Sequence, residues 1–273
     1  MKLNRIWAIF FSPTDTTKKV VMHMAVSVSR LAACPVLQYD FTLPEGRQSF
    51  PHTEQGDLVI FGVPTYAGRV PNVLLRYLDT IKGSGAMAVP LVTFGNRNFD
   101  NSLIELRDIL EKAGFATVAA AAVACEHSFS YSLGAGRPDG EDLAQITDFA
   151  QKLYSGICRI EKPEHRISVP GIPGTYGGYY KPQDRYGKFI DIRKVIPHVS
   201  EFCTGCGLCA SVCPMGSIDS GDIRHMTGIC IKCGACFKKC PASARYFDDE
   251  GYLYHKSELE ELYKRRAPNS FFL

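Results

Sequence analysis

Eight of the eleven cysteines in this 273-residue sequence lie between residues 203 and 240. They form the pattern C-x2-C-x2-C-x3-C-P twice, as Cys203, Cys206, Cys209 and Cys213 before Pro214, then as Cys230, Cys233, Cys236 and Cys240 before Pro241. Cysteine thiolates are strong ligands for zinc and for iron–sulfur clusters. The spacing of the cysteines therefore indicates a metal-binding segment.

Disulfides and zinc are the alternative uses of these cysteines. A disulfide framework needs an oxidising compartment, and the short apolar stretch 6–11, followed at once by Ser12-Pro13, does not resemble a secretory signal. Structural zinc usually takes two C-x2-C pairs separated by a longer loop. Three cysteines at consecutive x2 spacing instead place three thiolates around one compact turn, which suits three corners of a cubane cluster.

This segment resembles the bacterial two-cluster [4Fe-4S] ferredoxins. The resemblance implies crossed ligation, with cluster I held by Cys203, Cys206, Cys209 and Cys240 and cluster II by Cys230, Cys233, Cys236 and Cys213. It also implies a small α+β unit that folds only with its clusters. Because thiolate-rich clusters are labile in oxygen, it further implies a reducing cytoplasm. The two repeats continue differently after their fourth cysteine, as Pro214-Met-Gly-Ser-Ile218 and as Pro241-Ala-Ser-Ala-Arg245, where ferredoxins usually have Pro-x-x-Ala-Ile.

The first 157 residues alternate between strand and helix patterns. Strands are predicted over residues 3–11, 36–41, 57–63, 87–94 and 117–125. Helices are predicted over residues 18–33, 72–81, 101–113 and 141–157. Nearly continuous apolar strands are typical of a parallel sheet covered on both faces. Five such strands fit a doubly wound α/β sheet of order 2-1-3-4-5, whose ligand site lies at the carboxyl ends of strands 1 and 3.

Polar loops follow four of these strands, and they would meet at one edge of the sheet. They cover residues 12–17, 64–71, 95–99 and 126–131. Hydroxyl groups and backbone N–H groups at a helix N-terminus form a phosphate cradle. The nucleotide-binding patterns Gly-x4-Gly-Lys-Ser/Thr and Gly-x-Gly-x-x-Gly are both absent.

These loops resemble those of the flavodoxin family, which implies bound FMN. The implied contacts are Ser12, Thr14, Asp15, Thr16 and Thr17 for the phosphate, and Pro64, Thr65, Tyr66, Gly68, Gly95, Asn96 and Phe99 for the ring. Ser12, Thr14 and Thr17 match the family's hydroxyl positions, whereas Asp15 replaces its glycine. Gly68 would let the backbone approach flavin N5.

Structural roles for the same residues stay open. Residues 12–17 also read as a plain helix cap, and Tyr66 as a surface aromatic. His127 reads either as a hydrogen-bonded structural residue or, with Tyr66, as a proton donor. The three cysteines outside the repeats, Cys34, Cys125 and Cys158, are predicted to be small buried residues, and Cys125 ends a strand near the predicted site.

The predicted organisation is a flavodoxin-like domain over 1–157, a basic Gly-, Pro- and Tyr-rich linker over 158–197, and a ferredoxin domain over 198–273 that ends in a helix near 256–266. The linker is either a solvated connection or a basic strap that packs between the domains and faces an anionic partner. The net charge of +3 does not favour a nucleic-acid partner. No apolar stretch is long enough to predict a membrane span.

Taken whole, the sequence resembles the flavodoxin–ferredoxin fusion proteins of anaerobic bacteria. The resemblance implies a low-potential carrier that relays electrons from a donor protein through two clusters and FMN to an acceptor. One alternative is an FMN-dependent reductase of a small organic substrate, with Tyr66 or His127 as its acid. The other is a redox sensor or docking module without flavin. A pocket above the flavin, lined by Phe129, Tyr131 and the linker, would favour the reductase, whereas an exposed ring edge would favour the carrier.

Overall fold

The computed structural model of this protein describes residues 2–160 and 167–273. Its largest element is a mainly parallel sheet with the order β2-β1-β3-β4-β6-β9. The strands are β1 (Arg5–Phe10), β2 (Val36–Asp40), β3 (Asp57–Pro64), β4 (Met87–Phe94), β5 (Ala116–Thr117), β6 (Ala120–Ala124) and β9 (Ser270–Phe272). The predicted fifth strand is divided into β5 and β6, which both pair with β4 in parallel. The predicted doubly wound order is therefore confirmed.

Helices cover both faces of this sheet. They are α1 (Thr16–Ala32), α2 (Leu75–Leu78), α3 (Ser102–Lys112) and α4 (Gly140–Ile157). The apolar sides of α1 and α4 pack on one face, and those of α2 and α3 pack on the other. Strand β4 is buried along its whole length because both of its faces are covered. The helix predicted over 72–81 is shorter, since a 3-10 turn at Asn72–Leu74 precedes α2.

The C-terminal strand β9 returns to the large sheet. It pairs antiparallel with β6, with Phe271 opposite Ala121, and the ring of Phe271 stacks on Phe149 of α4. The alanine-rich β6 has little side-chain surface of its own, so the aromatic residues of β9 cover its free edge. The end of the predicted 198–273 segment therefore packs with the sheet rather than with the small unit.

The segment after residue 166 packs closely on the sheet domain through its first half. Arg69 is held by both carboxylate oxygens of Glu105, at 2.7 and 2.6 Å, and its guanidinium lies 5.0 Å from the rings of both Tyr176 and Tyr179. The amide of Tyr180 donates to the carbonyl of Ala67. These contacts favour the strap interpretation, although Arg166, one of the basic residues behind it, lies outside the described residues.

A small unit built on an internal repeat carries the eight clustered cysteines. It contains β7 (His198–Val199), α5 (Leu208–Ser211), α6 (Ala235–Lys238), β8 (Arg245–Tyr246) and α7 (Glu250–Leu262). Strands β7 and β8 pair antiparallel. Helices α5 and α6 each begin after a glycine with positive φ, Gly207 at 73° and Gly234 at 81°, a conformation that glycine adopts without steric cost.

Two expectations concern single features of the chain. Among the described residues, no helix is both long enough and apolar enough to cross a membrane. Of the three cysteines predicted to be buried, Cys125 is buried, Cys34 is partly exposed and Cys158 is exposed. The prediction is wrong for Cys158, because this residue follows the last turn of α4 and lies outside its apolar side.

Candidate functional site

A narrow cleft lies at the carboxyl edge of the sheet, where β1, β3, β4 and β6 end. Its lining residues come from all four polar loops and from the small unit: Pro13, Thr14, Thr16, Thr17, Pro64, Thr65, Tyr66, Thr93, Phe94, Gly95, Cys125, Glu126, His127, Ser128 and Cys233. About 420 Å³ between them is free of protein atoms, part of it open to solvent, but only about 50 Å³ is wide enough to hold the centre of a water molecule. The cleft is therefore a narrow slot.

The loop before α1 presents unpaired backbone donors to this cleft. Within the described residues, the amides of Thr16 and Thr17 donate to no protein acceptor, as is usual in the first turn of a helix. The hydroxyl of Ser12 caps the helix by accepting from the amide of Lys18, at 2.9 Å. The hydroxyl of Thr17 is bonded to that of Thr93, at 2.7 Å. Of the three hydroxyl groups expected to contact a phosphate, only that of Thr14 has no strong bond within the protein. The hydroxyl of Thr16 is also available, because its contact with the Thr14 hydroxyl is weak.

Asp15 stands in the left-handed region, with φ of 65°, where the family resemblance expects glycine. Its carboxylate points away from the cleft and pairs with Lys239 of the small unit, at 2.9 Å. The side chain of Asp15 is 63% exposed, so this ion pair contributes little to stability. The outward orientation keeps the negative charge away from the free amides of α1.

The loop after β3 makes a tight turn at Tyr66. The amide and carbonyl of Tyr66 pair with those of Arg69, and the two residues between them, Ala67 and Gly68, both have positive φ. A side chain at Gly68 would also meet the carboxylate of Asp100, at 2.6 Å. Gly68 serves this turn and does not line the cleft. Burial beneath the small unit raises the pKa of the Tyr66 hydroxyl well above its usual value, and the nearby Cys233 and Cys230 raise it further.

His127 is neutral at physiological pH. Burial, with a smaller contribution from the positive charge of Lys238, lowers the pKa of its imidazole to about 3. Its Nδ1 atom accepts a hydrogen bond from the amide of Phe129, at 3.0 Å, so the ring proton lies on Nε2. Gly95 is required beside this ring, because a Cβ there would lie 2.2 Å from the His127 side chain. His127 can therefore donate a hydrogen bond, but it is a poor proton donor.

Asn96 and Phe99 are also absent from the cleft lining, so that three predicted ring contacts, with Gly68, and two predicted phosphate contacts, Ser12 and Asp15, do not line it. Asn96 is buried, and its side-chain amide donates to the carbonyls of Tyr263 and Arg265 beyond α7, at 2.8 and 2.7 Å. Phe99 packs against Phe94, with 5.7 Å between ring centres. Asn96 instead ties the C-terminal segment to the sheet domain, a role that local sequence does not reveal.

The small unit forms the roof of the cleft. Cys233 lines it directly, and Gly234 lies so close to the carbonyl of Ser128 that a Cβ would be 2.6 Å from that oxygen. Lys238 of α6 bonds to the carboxylate of Glu126 and to the carbonyl of Ser130. Cys233, Ser128, Glu126 and Thr93 were not among the sequence-predicted contacts of this site. For Glu126 and Ser128, the only signal in the sequence is that they lie in the polar loop over 126–131.

A second cavity is lined by one cysteine of the first motif and three of the second. Cys213, Cys230, Cys233 and Cys236 all border it. Burial, with smaller contributions from the neighbouring Cys230 and Cys213, raises the pKa of Cys236 to about 12. Four thiols that border one cavity, with Cys233 buried and the other three partly exposed, form a site that suits metal cations, since metal binding deprotonates thiols and compensates their charge.

Backbone donors surround the sulfur atoms of three cysteines. The amides of Gly205, Ser217 and Ala244 donate to Cys203, Cys213 and Cys240, at 3.5, 3.4 and 3.2 Å. Hydrogen bonds of this kind stabilise cluster sulfurs and set their potentials. Within residues 2–160 and 167–273, no three His, Cys, Asp or Glu side chains are placed to hold a single metal ion. The corners of a cubane lie farther apart than the ligands of one ion.

Several known proteins resemble parts of this chain. Residues 202–245 match the family of 4Fe-4S dicluster domains. An archaeal flavodoxin is 9% identical, with 57% of this chain and 99% of that chain covered and a TM-score of 0.41. A flavodoxin of Streptococcus pneumoniae TIGR4 is 17% identical over 56% and 98%, with a TM-score of 0.39. An apo NADH:FMN oxidoreductase is 19% identical over 60% and 94%, with a TM-score of 0.42. No curated protein matches this sequence.

The strand order itself carries the fold assignment, because likenesses this distant do not. A sheet of order 2-1-3-4 continued by β6 is flavodoxin-like. The chain therefore joins a flavodoxin-like domain to a 4Fe-4S dicluster domain. These two units support electron-transfer or redox activity.

Proposed function

We propose that this protein relays electrons between two [4Fe-4S] clusters and one FMN bound in the cleft. The observation that carries the proposal is the position of Cys233, which lines both the cysteine cavity and the cleft. Clusters of this type exchange single electrons, and FMN takes up one or two electrons. A residue shared by both sites brings a cluster ligand to the edge of the flavin.

The residues of the cleft fit FMN. The free amides of Thr16 and Thr17 and the hydroxyls of Thr14 and Thr16 would hold the phosphate, with the positive end of the α1 dipole behind them. The slot between Tyr66 and His127 would take the flat ring. His127 Nε2–H would donate a hydrogen bond to the ring without giving up its proton.

The proposed ligand sets of the clusters follow the cysteine cavity and the repeat. Cluster II would be held by Cys213, Cys230, Cys233 and Cys236. Cluster I would be held by the remaining four cysteines, Cys203, Cys206, Cys209 and Cys240. Cys206 is exposed, so cluster I is the one that an external redox protein can approach.

The roof over the cleft favours a relay over a substrate reductase. Phe129 and Tyr131, the residues expected around a substrate pocket, pack instead on Tyr252 and Phe237 of the small unit. Cys233 occupies the side from which a substrate would approach the ring. A neutral His127 and a Tyr66 with a raised pKa are also weak acids.

Anaerobic purification with iron and flavin analysis tests the proposal. We expect about eight iron atoms and one FMN per chain, since two cubanes and one flavodoxin-like site are proposed. Reduction of the clusters by dithionite should be followed by bleaching of the flavin band. Protein with full iron but no flavin would favour the sensor or docking alternative.

Replacing Thr14 and Thr16 together by alanine should weaken FMN binding. Each hydrogen bond to a charged phosphate contributes about 1.5–3 kcal/mol. The backbone amides of Thr16 and Thr17 remain as donors in the double variant. The measurement is a titration of flavin-free protein with FMN, followed by fluorescence quenching. Thr80→Ala is the control, because its hydroxyl is bonded to the carbonyl of Tyr77 and does not line the cleft. Equal affinities would place the phosphate elsewhere.

A further inference from the structure

Arg245 breaks the internal repeat of the small unit. It lies five residues after the fourth cysteine of the second motif, where the first motif has Ile218. Both side chains are buried, with 2% of Arg245 and 6% of Ile218 exposed. Ile218 borders the cavity of Cys213, Cys230, Cys233 and Cys236. The repeat therefore places a permanent charge beside one cysteine set where the other has an aliphatic side chain.

The guanidinium of Arg245 contacts a cluster cysteine directly. Its Nη2 atom donates to Cys209 Sγ, at 3.2 Å, and to the carbonyl of Ile223. Its Nη1 atom lies 3.4 Å from the carbonyl of Pro197. Its Nε atom is buried and has no hydrogen-bond partner among the residues that the structure describes. Cys209, whose sulfur atom accepts this hydrogen bond, belongs to the first cysteine motif.

No carboxylate of the described residues forms an ion pair with Arg245. An arginine keeps its charge in proteins, and a buried charge without a counter-ion is strongly destabilising. The anions that remain near it are cysteine sulfurs.

We propose that Arg245 sets the reduction potential of the cluster bound by Cys209 and raises it above that of the other cluster. The proposal rests on the two clusters of the proposed function. Reduction adds one electron to a cluster and no proton, so the cluster and its thiolates become more negative. A fixed cation stabilises the more negative state, and a donor to Cys209 Sγ does the same. The aliphatic Ile218 gives the other cluster no such stabilisation.

A potentiometric titration of the holoprotein with dithionite, followed by electron paramagnetic resonance, tests the proposal. The native protein should show two one-electron steps at separate potentials. In Arg245→Ile, which copies the first repeat, the upper step should fall by at least a tenfold change in the reduction equilibrium, about 59 mV for one electron. The lower step should move less. An upper step that stays in place in fully iron-loaded Arg245→Ile overturns the proposal.

Two further variants keep the test decisive. Arg224→Ile removes an exposed arginine of the same unit, whose Nη1 donates to the carbonyl of Val199, and it should leave both steps in place. An equal fall in Arg224→Ile would assign the effect to overall charge and overturn the proposal. If Arg245→Ile loses iron, Arg245→Lys decides, since retained charge should retain the upper step. A native protein without eight irons would instead defeat the proposed function and leave no upper step to explain.

Discussion

Replacing Cys213 by serine is expected to remove half of the iron, and the lost cluster is that of the second motif. In the sequence, Cys213 closes the first motif. In the structure, it borders one cavity with Cys230, Cys233 and Cys236. A serine hydroxyl is a poor ligand for iron–sulfur clusters, so the cluster that depends on Cys213 should not assemble. Iron analysis after anaerobic reconstitution should give about four atoms per chain instead of about eight.

Double variants identify which cluster is lost. If Cys213 and Cys233 hold the same cluster, Cys213→Ser with Cys233→Ser should retain as much iron as either single variant. If Cys206 belongs to the other cluster, Cys213→Ser with Cys206→Ser should retain almost none. The reverse pattern would mean that each motif binds its own cluster, against the shared cavity.

The same variants should lower the stability of the small unit. Its described apolar core is small, whereas metal–thiolate bonds supply much of the folding free energy in units of this kind. Cys206 is exposed and Cys233 is buried in the cleft roof. We therefore expect Cys233→Ser to loosen the roof as well as the cluster, seen as faster proteolysis between the domains.

Replacing Gly234 by alanine is expected to slow electron transfer from the clusters to the flavin by about tenfold or more, because small displacements of reacting groups have large kinetic effects. A Cβ at this position would lie 2.6 Å from the carbonyl oxygen of Ser128, which is backbone and cannot turn aside. The small unit must then move away from the sheet domain. Cys233, the neighbour of Gly234, moves with it.

Gly207→Ala is the matched control for this displacement. Gly207 precedes α5 as Gly234 precedes α6, and both have positive φ. Either alanine therefore costs about 1–2 kcal/mol of backbone strain. A Cβ at Gly207, however, meets no atom within 4 Å. Stopped-flow reduction by dithionite, with cluster and flavin bands recorded separately, should show slow flavin reduction only in Gly234→Ala. Equal rates in the two variants would mean that the roof contact does not govern transfer.

The cysteine spacing and the strand pattern determine much of this protein without tertiary information. The cysteine pattern places thiolates within a few residues of each other, and short local turns fix their geometry. The apolar strands and intervening helices predict a parallel sheet, and right-handed crossovers leave few strand orders, of which 2-1-3-4-5 is one. Since parallel strands end at one edge, the sequence also predicts that the polar loops meet there.

Only the tertiary structure decides how these loops are used. The hydroxyls of Ser12 and Thr17 are engaged by Lys18 and Thr93, and Asn96 is drawn to the segment beyond α7. Such bonds join residues distant in sequence, or depend on a particular side-chain orientation, so periodicity does not encode them.

The position of the small unit on the sheet domain is the clearest case. Cys233 lies over the cleft because Lys238 meets Glu126 and Gly234 fits against Ser128, contacts that span more than a hundred residues of sequence. The repeat makes Cys206 and Cys233 equivalent by sequence, yet one is exposed and the other is buried. Spacing determines which atoms can bind a cluster, whereas docking of two folded surfaces determines which cluster ligand lines the cleft.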